Sequence, residues 1–181
     1  MKHTAQIALS GMISALSLLV LLLTIFPFST YALPPLAGAL LIPLVIDCGK
    51  KWAFGAYAAV SLLSLFLISD MESKMLFIGF FGYYPIIKSM LETIRTRFIE
   101  WLAKLLLFNI AAVSGYAVLS AIGFSLEEFS IPGSSMPLWG VLLAFLVAGN
   151  AIFILYDIGL TRALPLYFSR FQPMLRRVIG R

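Results

Sequence analysis

Residues 7–28, IALSGMISALSLLVLLLTIFPF, form 22 consecutive positions without a charged side chain. About 20 apolar residues in an α-helix cross the ~30 Å hydrocarbon core of a bilayer. A secretory signal peptide has a shorter apolar core of roughly 7–15 residues. This stretch is therefore expected to be a retained membrane-spanning helix, and it predicts an integral membrane protein.

The rest of the chain repeats this pattern. Of its 181 residues 61% are hydrophobic and 12% are charged, which leaves too little polar surface for a water-soluble globule. The apolar runs are continuous rather than alternating, and this favours helices over a membrane β-barrel. We therefore predict a single all-α membrane domain over residues 1–181. It is a compact bundle of six transmembrane helices with approximate spans 5–28, 31–46, 52–69, 75–91, 102–123 and 138–159.

The distribution of basic residues predicts how the bundle is oriented. With six spans drawn, all of the 13 Lys and Arg residues except Lys74 fall on the same side. Cytoplasmic loops of membrane proteins carry an excess of Lys and Arg. Both termini are therefore predicted to be cytoplasmic, in a multi-pass protein of the cell membrane. The net charge of +5 then reflects topology, and no nucleic-acid partner is expected.

Two cytoplasmic segments are predicted to be basic and amphipathic, residues 88–104 and 162–181. The first is expected to be an interfacial helix, and both are attracted to the anionic headgroups of the lipid bilayer. Glu100 and Lys104 have the i,i+4 spacing of an ion pair. Lys88 and Asp157 lie near the cytoplasmic ends of their spans, where an ion pair would cost little. For Asp157 a structural pairing or an interfacial position is favoured over a functional role.

The fourth span carries the densest group of aromatic residues, and Pro85 interrupts it. Proline removes a backbone hydrogen bond and bends a helix. Two interpretations remain open for the aromatic residues: an aromatic-lined cavity facing the outside, or an interfacial belt. The cavity would suit a flat heterocyclic solute. Its candidate substrate-binding residues are Phe80, Phe81, Tyr83 and Tyr84.

Other candidate ligand contacts are polar. Asn109 and Asn150 lie within spans, and they are expected to bond either to each other or to a substrate. The outward segment 124–137 is long and polar enough to act as a lid, and it contains Glu127 and Glu128. These carboxylates either steer a cationic ligand or are ordinary solvated surface groups.

The sequence offers little for catalysis. Its single histidine, His3, excludes a histidine metal cluster or a His-based triad. The glycine spacing of a phosphate-binding Walker loop is missing around Lys50. We therefore predict that the protein is not an enzyme and has neither a metal site nor a cofactor. A membrane-embedded enzyme acting on lipids is a minor alternative without a recognisable motif.

Small residues follow one face of the first span. Gly11 and Ala15 stand four positions apart, and Ala8 lies about one turn earlier. Small side chains at this spacing allow another membrane helix to approach closely. They are candidates for docking a partner, and packing within the same bundle is the alternative.

The whole chain resembles the S component, the substrate-binding membrane subunit, of energy-coupling factor (ECF) transporters, in an uncharacterised subgroup from Gram-positive bacteria. The resemblance lies in length, span number, Gly55 and three stretches: IALSGMISAL at 7–16, LPPLAGAL at 33–40 and GYYPIIK at 82–88. It carries over no ligand-binding residue individually.

The resemblance implies a subunit that captures a small vitamin-like solute outside the cell. It implies delivery by toppling and docking on a T component with two cytosolic ATPases, through a small-residue pattern filled here by Ala8, Gly11 and Ala15. A non-transporting membrane scaffold, or a subunit of a cell-envelope assembly complex, is the alternative function.

Overall fold

The structure is a computed structural model that describes residues 3–26, 29–121 and 138–173. These residues form helices joined by short turns, which confirms the all-α class. In chain order the helices are α1 (His3–Leu22, extended by a 3₁₀ turn at Leu23–Ile25), α2 (Leu33–Ala39), α3 (Ile42–Asp47), α4 (Lys50–Leu67), α5 (Met71–Leu76, extended by a π-helical turn at Phe77–Phe81), α6 (Tyr84–Leu91), α7 (Arg97–Ala121) and α8 (Leu138–Leu166, extended by a π-helical turn at Tyr167–Phe171).

Three helical segments are long and apolar enough to cross a membrane: His3–Ile25, Arg97–Ala121 and Trp139–Arg170. They correspond to the first, fifth and sixth predicted spans. The other three predicted spans are built from shorter helices. Leu33–Asp47 contains α2 and α3, α4 has 18 residues, and the fourth span divides between α5 and α6.

Proline explains where the short helices begin. Pro34, Pro43 and Pro85 lie in the first turns of α2, α3 and α6. The amide hydrogen that proline lacks has no helical partner in a first turn, so proline costs little there. Inside a continuous helix it would break a hydrogen bond. The expected effect of Pro85 is therefore confirmed, because a new helix starts beside it.

The apolar core has two parts. In the first part α1 packs against α2 and α4 through Leu9, Ile13, Ser17 and Leu21, which recur every four residues on one helix face. The buried Ser17 hydroxyl donates a 2.9 Å hydrogen bond to the carbonyl oxygen of Ala37. The second part is aromatic and joins the Phe77–Phe81 turn and α6 to α7 and α8.

Charged residues gather at two opposite ends of the bundle. At one end, here called the basic end, the His3 ring meets the Trp52 ring edge-on, so the starts of α1 and α4 are adjacent. At the same end Asp47 accepts hydrogen bonds from Tyr167 and Gln172, which joins the end of α3 to the end of α8.

The other end, here called the acidic end, contains Asp70 and Glu72. Tyr31 donates a 2.6 Å hydrogen bond to a carboxylate oxygen of Glu72, and the Ser73 hydroxyl bonds to the Thr30 carbonyl. Lys74 also lies here, and its ammonium donates to the Ile68 carbonyl.

The segment 88–104 is not the single amphipathic helix that its sequence predicts. Helix α6 ends at Leu91, a turn follows, and α7 begins at Arg97. The chain reverses here because Lys88 and Lys104 both approach the same buried carboxylate, that of Asp157. The outward segment 124–137, with Glu127 and Glu128, lies outside the described residues, as does the chain beyond residue 173.

Candidate functional site

Phe80 is the centre of an aromatic cluster. Its ring is buried and stacks on the ring of Tyr84 at a centroid distance of 4.8 Å. Other rings surround it, with centroids at 5.2 Å (Phe108), 5.4 Å (Phe81), 5.5 Å (Phe153) and 6.0 Å (Tyr83). Most of these pairs are edge-to-face, a favoured geometry that adds to the gain from burial.

The four predicted aromatic residues therefore lie together, but they pack on one another. Phe80, Phe81 and Tyr84 are buried, and Tyr83 is half-buried. Within the described residues, their rings fill the space between helices. They neither line an open cavity nor form an exposed interfacial belt.

Sequence reasoning missed the rings that complete this cluster, Phe108, Phe153 and Tyr156. The polar residues of α8 contain a signal for one of them. Asn150 and Asp157 must face the bundle interior in a membrane. Phe153, between them at i+3 and i−4, lies on the same helix face. Phe108 is the immediate neighbour of Asn109, which gives a weaker hint.

Asp157 is the centre of a charged cluster, the Asp157 cluster, made of Tyr84, Lys88, Glu92, Glu100, Lys104, Asp157 and Thr161. Its centre is buried, and Glu92 and Thr161 are exposed at its edge. The Lys88 ammonium lies 2.5 Å from one Asp157 carboxylate oxygen, and the Lys104 ammonium lies 3.1 Å from the other. The Tyr84 hydroxyl donates a 2.6 Å hydrogen bond to the same oxygen that Lys88 contacts. These contacts join α6, α7 and α8.

The two ammonium groups of this cluster have further partners. Lys88 contacts Glu92 at 2.7 Å and the Thr161 hydroxyl at 2.9 Å, and Lys104 contacts Glu100 at 2.7 Å. Lys88, Lys104 and Asp157 are each no more than 3% exposed. Buried charges are tolerated when they are paired and hydrogen-bonded in this way.

Two predictions are confirmed in the Asp157 cluster: the Lys88–Asp157 pair and the Glu100–Lys104 pair. The inward position of Lys104 was missed, because its neighbours in sequence indicated an interfacial segment. A carboxylate shared by two ammonium groups and a phenol has its strong acceptor positions occupied. The cluster therefore neutralises charge and connects helices, and the Asp157 carboxylate is not free to act as a base.

Asn109 and Asn150 bond to each other, one of the two arrangements predicted for them. Each side-chain amide donates a 3.0 Å hydrogen bond to the other's oxygen. The second hydrogen of each amide bonds at 2.7 Å to the backbone carbonyl four residues earlier, that of Leu105 or Leu146. Both donor groups are thus fully used, and the pair fastens α7 to α8.

A small cleft of about 60 Å³ lies at the basic end between α3, α6 and α8. Small-molecule sites usually have volumes of roughly 300–1,000 Å³, so this cleft is too small for a vitamin-sized ligand. Its lining is mostly aliphatic, with polar groups on one side: Ile42, Val45, Ile46, Pro85, Lys88, Ser89, Glu92, Leu160 and Leu164.

The predicted docking residues of α1 lie on its exposed face. Ala8, Gly11 and Ala15 are all exposed, on the side away from the buried Leu9 and Ile13. A Cβ atom added at Gly11 would meet nothing within 4 Å. In the described part of the chain, these small residues are thus not used for packing within the bundle.

The acidic end contains an ordered group of polar side chains. Asp70 precedes α5 and accepts a hydrogen bond from the Glu72 amide, which caps the helix. The hydrogen bond to Glu72, with burial and the nearby carboxylates, raises the pKa of Tyr31 to about 12. The predicted ligand contacts Glu127 and Glu128 lie outside the described residues.

Comparison of the chain with protein families, curated proteins and solved structures finds no match.

Proposed function

We propose that this chain is a six-span membrane protein with both termini in the cytoplasm. Its proposed function is that of the substrate-binding subunit of an ECF-type importer. It would capture a small vitamin-like solute outside the cell and deliver it by docking on a T component with two cytosolic ATPases.

The observation that best supports this proposal is the exposed small-residue face of α1. A lipid-facing helix is best served by bulky apolar side chains, and Ala8, Gly11 and Ala15 leave a shallow strip among them. Membrane helices associate closely along such strips. Because none of the described helices packs on this strip, a helix of another subunit is the occupant that the proposal requires.

The proposed ligand site lies toward the acidic end and includes the predicted residues of the aromatic cluster. Tyr83 is half-buried and is the most accessible of the four predicted aromatic residues. Glu127 and Glu128 belong to the proposed outer wall of the site. We assign Asn109 and Asn150 to packing, because their amide hydrogens already bond to protein acceptors.

Affinity purification from the native membrane, with mass spectrometry of the associated proteins and small molecules, tests this function. Recovery of a T component with two ATPases is the expected result. Gly11→Trp and Ala15→Trp should remove these partners and abolish uptake, while any co-purified small molecule remains bound.

Helix α7 supplies matched controls for this experiment. Gly115→Trp and Ala117→Trp place the same side chain on α7, where Ala117 is exposed. Gly115 is half-buried and, like Gly11, has nothing within 4 Å of an added Cβ. They should retain the partners. Loss of the small molecule in the α1 variants, or loss of partners in the α7 variants, would contradict the docking role of α1.

A second function, that of a membrane scaffold in a cell-envelope assembly complex, is favoured by a different observation. The aromatic cluster is closely packed, and the cleft described above is too small for a vitamin. A scaffold needs exposed helix faces but no ligand cavity. Recovery of envelope-synthesis proteins, with neither ATPases nor a bound small molecule, would support the scaffold and exclude the importer.

A further inference from the structure

We infer that the basic end is a binding surface for anionic phospholipids, formed around the turn between α6 and α7 and the last turns of α8. This inference concerns the membrane that surrounds the protein. It holds for an importer subunit and for a scaffold alike, so it does not depend on the proposed function.

The acidic residues described at the basic end bind groups within the bundle. Asp157, Glu92 and Glu100 are bound to the buried Lys88 and Lys104. Asp47 is bound by Tyr167 and Gln172. The acidic side chains described at this end thus all have partners inside the bundle.

The exposed Lys and Arg residues described at this end have no carboxylate in contact with them. In the described ranges, the ion pairs involve only Lys88 and Lys104. The other Lys and Arg residues that the structure describes at this end are all exposed: Lys50, Lys51, Arg95, Arg97, Arg162 and Arg170. The surface of the basic end is therefore strongly positive, although the buried cluster is nearly neutral.

Exposed apolar side chains next to these cations identify lipid as the partner. Beside Arg95 and Arg97, the first turns of α7 expose Phe98, Ile99 and Leu102, and Phe98 is 76% exposed. Leu166 and Phe168 are similarly exposed between Arg162 and Arg170. Basic groups next to exposed apolar groups match the boundary between headgroups and acyl chains. A nucleic acid or an acidic soluble protein has no use for these apolar side chains.

Tryptophan fluorescence can test this inference at both ends of one molecule. Trp101 lies at the basic end, with Lys104 5.3 Å from its ring, and Trp139 lies at the far end of α8. The full chain is reconstituted in phosphatidylcholine bilayers with increasing amounts of brominated phosphatidylglycerol or brominated phosphatidylcholine, which quench nearby tryptophan. One variant retains only Trp101 (Trp52→Phe, Trp139→Phe), and the other retains only Trp139 (Trp52→Phe, Trp101→Phe).

We expect brominated phosphatidylglycerol to quench Trp101 at about one fifth or less of the concentration that brominated phosphatidylcholine requires. Each basic residue near an anionic surface strengthens lipid binding by about 1 kcal/mol, which is about a factor of five. At Trp139 the two lipids should quench equally. Arg95→Gln/Arg97→Gln should reduce the preference at Trp101 toward one. Lys74→Gln removes a cation from the acidic end and should leave that preference unchanged.

Raising NaCl from 0.1 M to 1 M provides a second measurement, which requires no charge substitution. At 1 M salt the Debye length is only about 3 Å, so charges on the protein and on the lipid headgroups are screened from each other. The preference for phosphatidylglycerol should then be largely abolished. Equal quenching by both lipids at Trp101 would overturn the inference, as would an equal preference at the two tryptophans. A preference that survives both the arginine substitutions and high salt would also overturn it.

Discussion

Asp157 shows how much one buried carboxylate contributes to this fold. Asp157→Asn removes the negative charge that Lys88 and Lys104 share, while both ammonium groups stay buried. Breaking a buried pair commonly costs about 3–5 kcal/mol. We expect about 3 kcal/mol here, because Glu92 and Glu100 still contact the lysines. The free energy of unfolding in mixed detergent micelles measures this loss.

Removing a positive charge at the same time is the control for this substitution. Asp157→Asn/Lys88→Met changes one charge of each sign and should recover part of the lost stability, since fewer buried charges remain without a partner. Equal stability of wild type and Asp157→Asn would show that the two lysines are solvated, in contradiction to their burial.

Tyr31 provides a prediction that depends on pH. Its pKa is raised to about 12 in the folded protein, against about 10 in an unfolded chain. The folded state therefore holds the phenolic proton more tightly. The stability that it contributes is complete below pH 10 and is lost as the pH rises toward 12. Ultraviolet titration of wild type minus Tyr31→Phe should show one phenolate with a midpoint near pH 12.

Glu72→Gln is the matched control for the Tyr31 titration. It removes the negative charge of the hydrogen-bond acceptor and keeps a side chain of the same size. The Tyr31 midpoint should fall back toward 10, since the bond to the Glu72 carboxylate is the largest cause of the raised pKa. If the midpoint stayed near 12, burial rather than the bond to Glu72 would be the main cause of the raised pKa of Tyr31.

At the scale of elements, Gly38 permits a close approach between the backbones of α2 and the Phe77–Phe81 turn. A Cβ atom at this position would lie 2.0 Å from the carbonyl oxygen of Phe81. Because the obstacle is backbone, Gly38→Ala must push α2 away from the π-helical turn. Overpacking costs about 1–3 kcal/mol, and we expect the upper end of that range, measured as a loss of unfolding free energy.

Gly55 is the matched control for Gly38, since it lies inside α4 with nothing within 4 Å of an added Cβ. Alanine is the better helix former by about 1 kcal/mol, so Gly55→Ala should be neutral or stabilising. Similar losses in both variants would mean that the close contact between α2 and the Phe77–Phe81 turn is absent.

Patterns local in sequence predicted the helices, and pairings between distant segments escaped prediction. The apolar runs and Pro85 indicated the helices and the break in the fourth span. The i,i+4 spacing gave the Glu100–Lys104 pair. By contrast, the Lys104 side chain points inward because it binds Asp157, which lies 53 positions later in the chain. A pattern of neighbouring residues does not predict a contact over that separation.

The candidate site was predictable to a similar extent. The density of Phe80, Phe81, Tyr83 and Tyr84 indicated that these residues act together. Whether rings line a cavity or fill a core depends on what packs opposite them. Here Phe108 and Phe153 close the space, and neither has an aromatic residue as its immediate neighbour in the sequence.

For the whole molecule, the separation of charge between the two ends provides the physical basis for the proposed topology. A helix of 20 residues, such as α1, is about 30 Å long, so its length matches the thickness of the hydrocarbon core of a bilayer. The exposed basic residues lie at one end, while Asp70, Glu72 and Lys74 lie at the other. The cytoplasmic excess of basic residues in membrane proteins is the reason why the proposed topology places the basic end inward.

Cys48 makes this topology testable without any substitution, because it is the single cysteine of the chain. It lies at the basic end between α3 and α4, and burial and the neighbouring Asp47 raise the pKa of its thiol. A membrane-impermeant maleimide, which reacts with the thiolate, should therefore react slowly and should react faster as the pH rises. We expect labelling in inside-out vesicles and none in intact cells.

Moving the cysteine to the acidic end tests the crossing between the two ends. In Cys48→Ser/Tyr31→Cys the thiol replaces an exposed side chain at the opposite end, so it should label in intact cells. Leu33–Asp47 is the only segment that joins positions 31 and 48 along the chain. Labelling of both cysteines from the same side would therefore show that this short helical pair does not cross the membrane. The six-span topology, and with it the cytoplasmic location of both termini, would then be wrong.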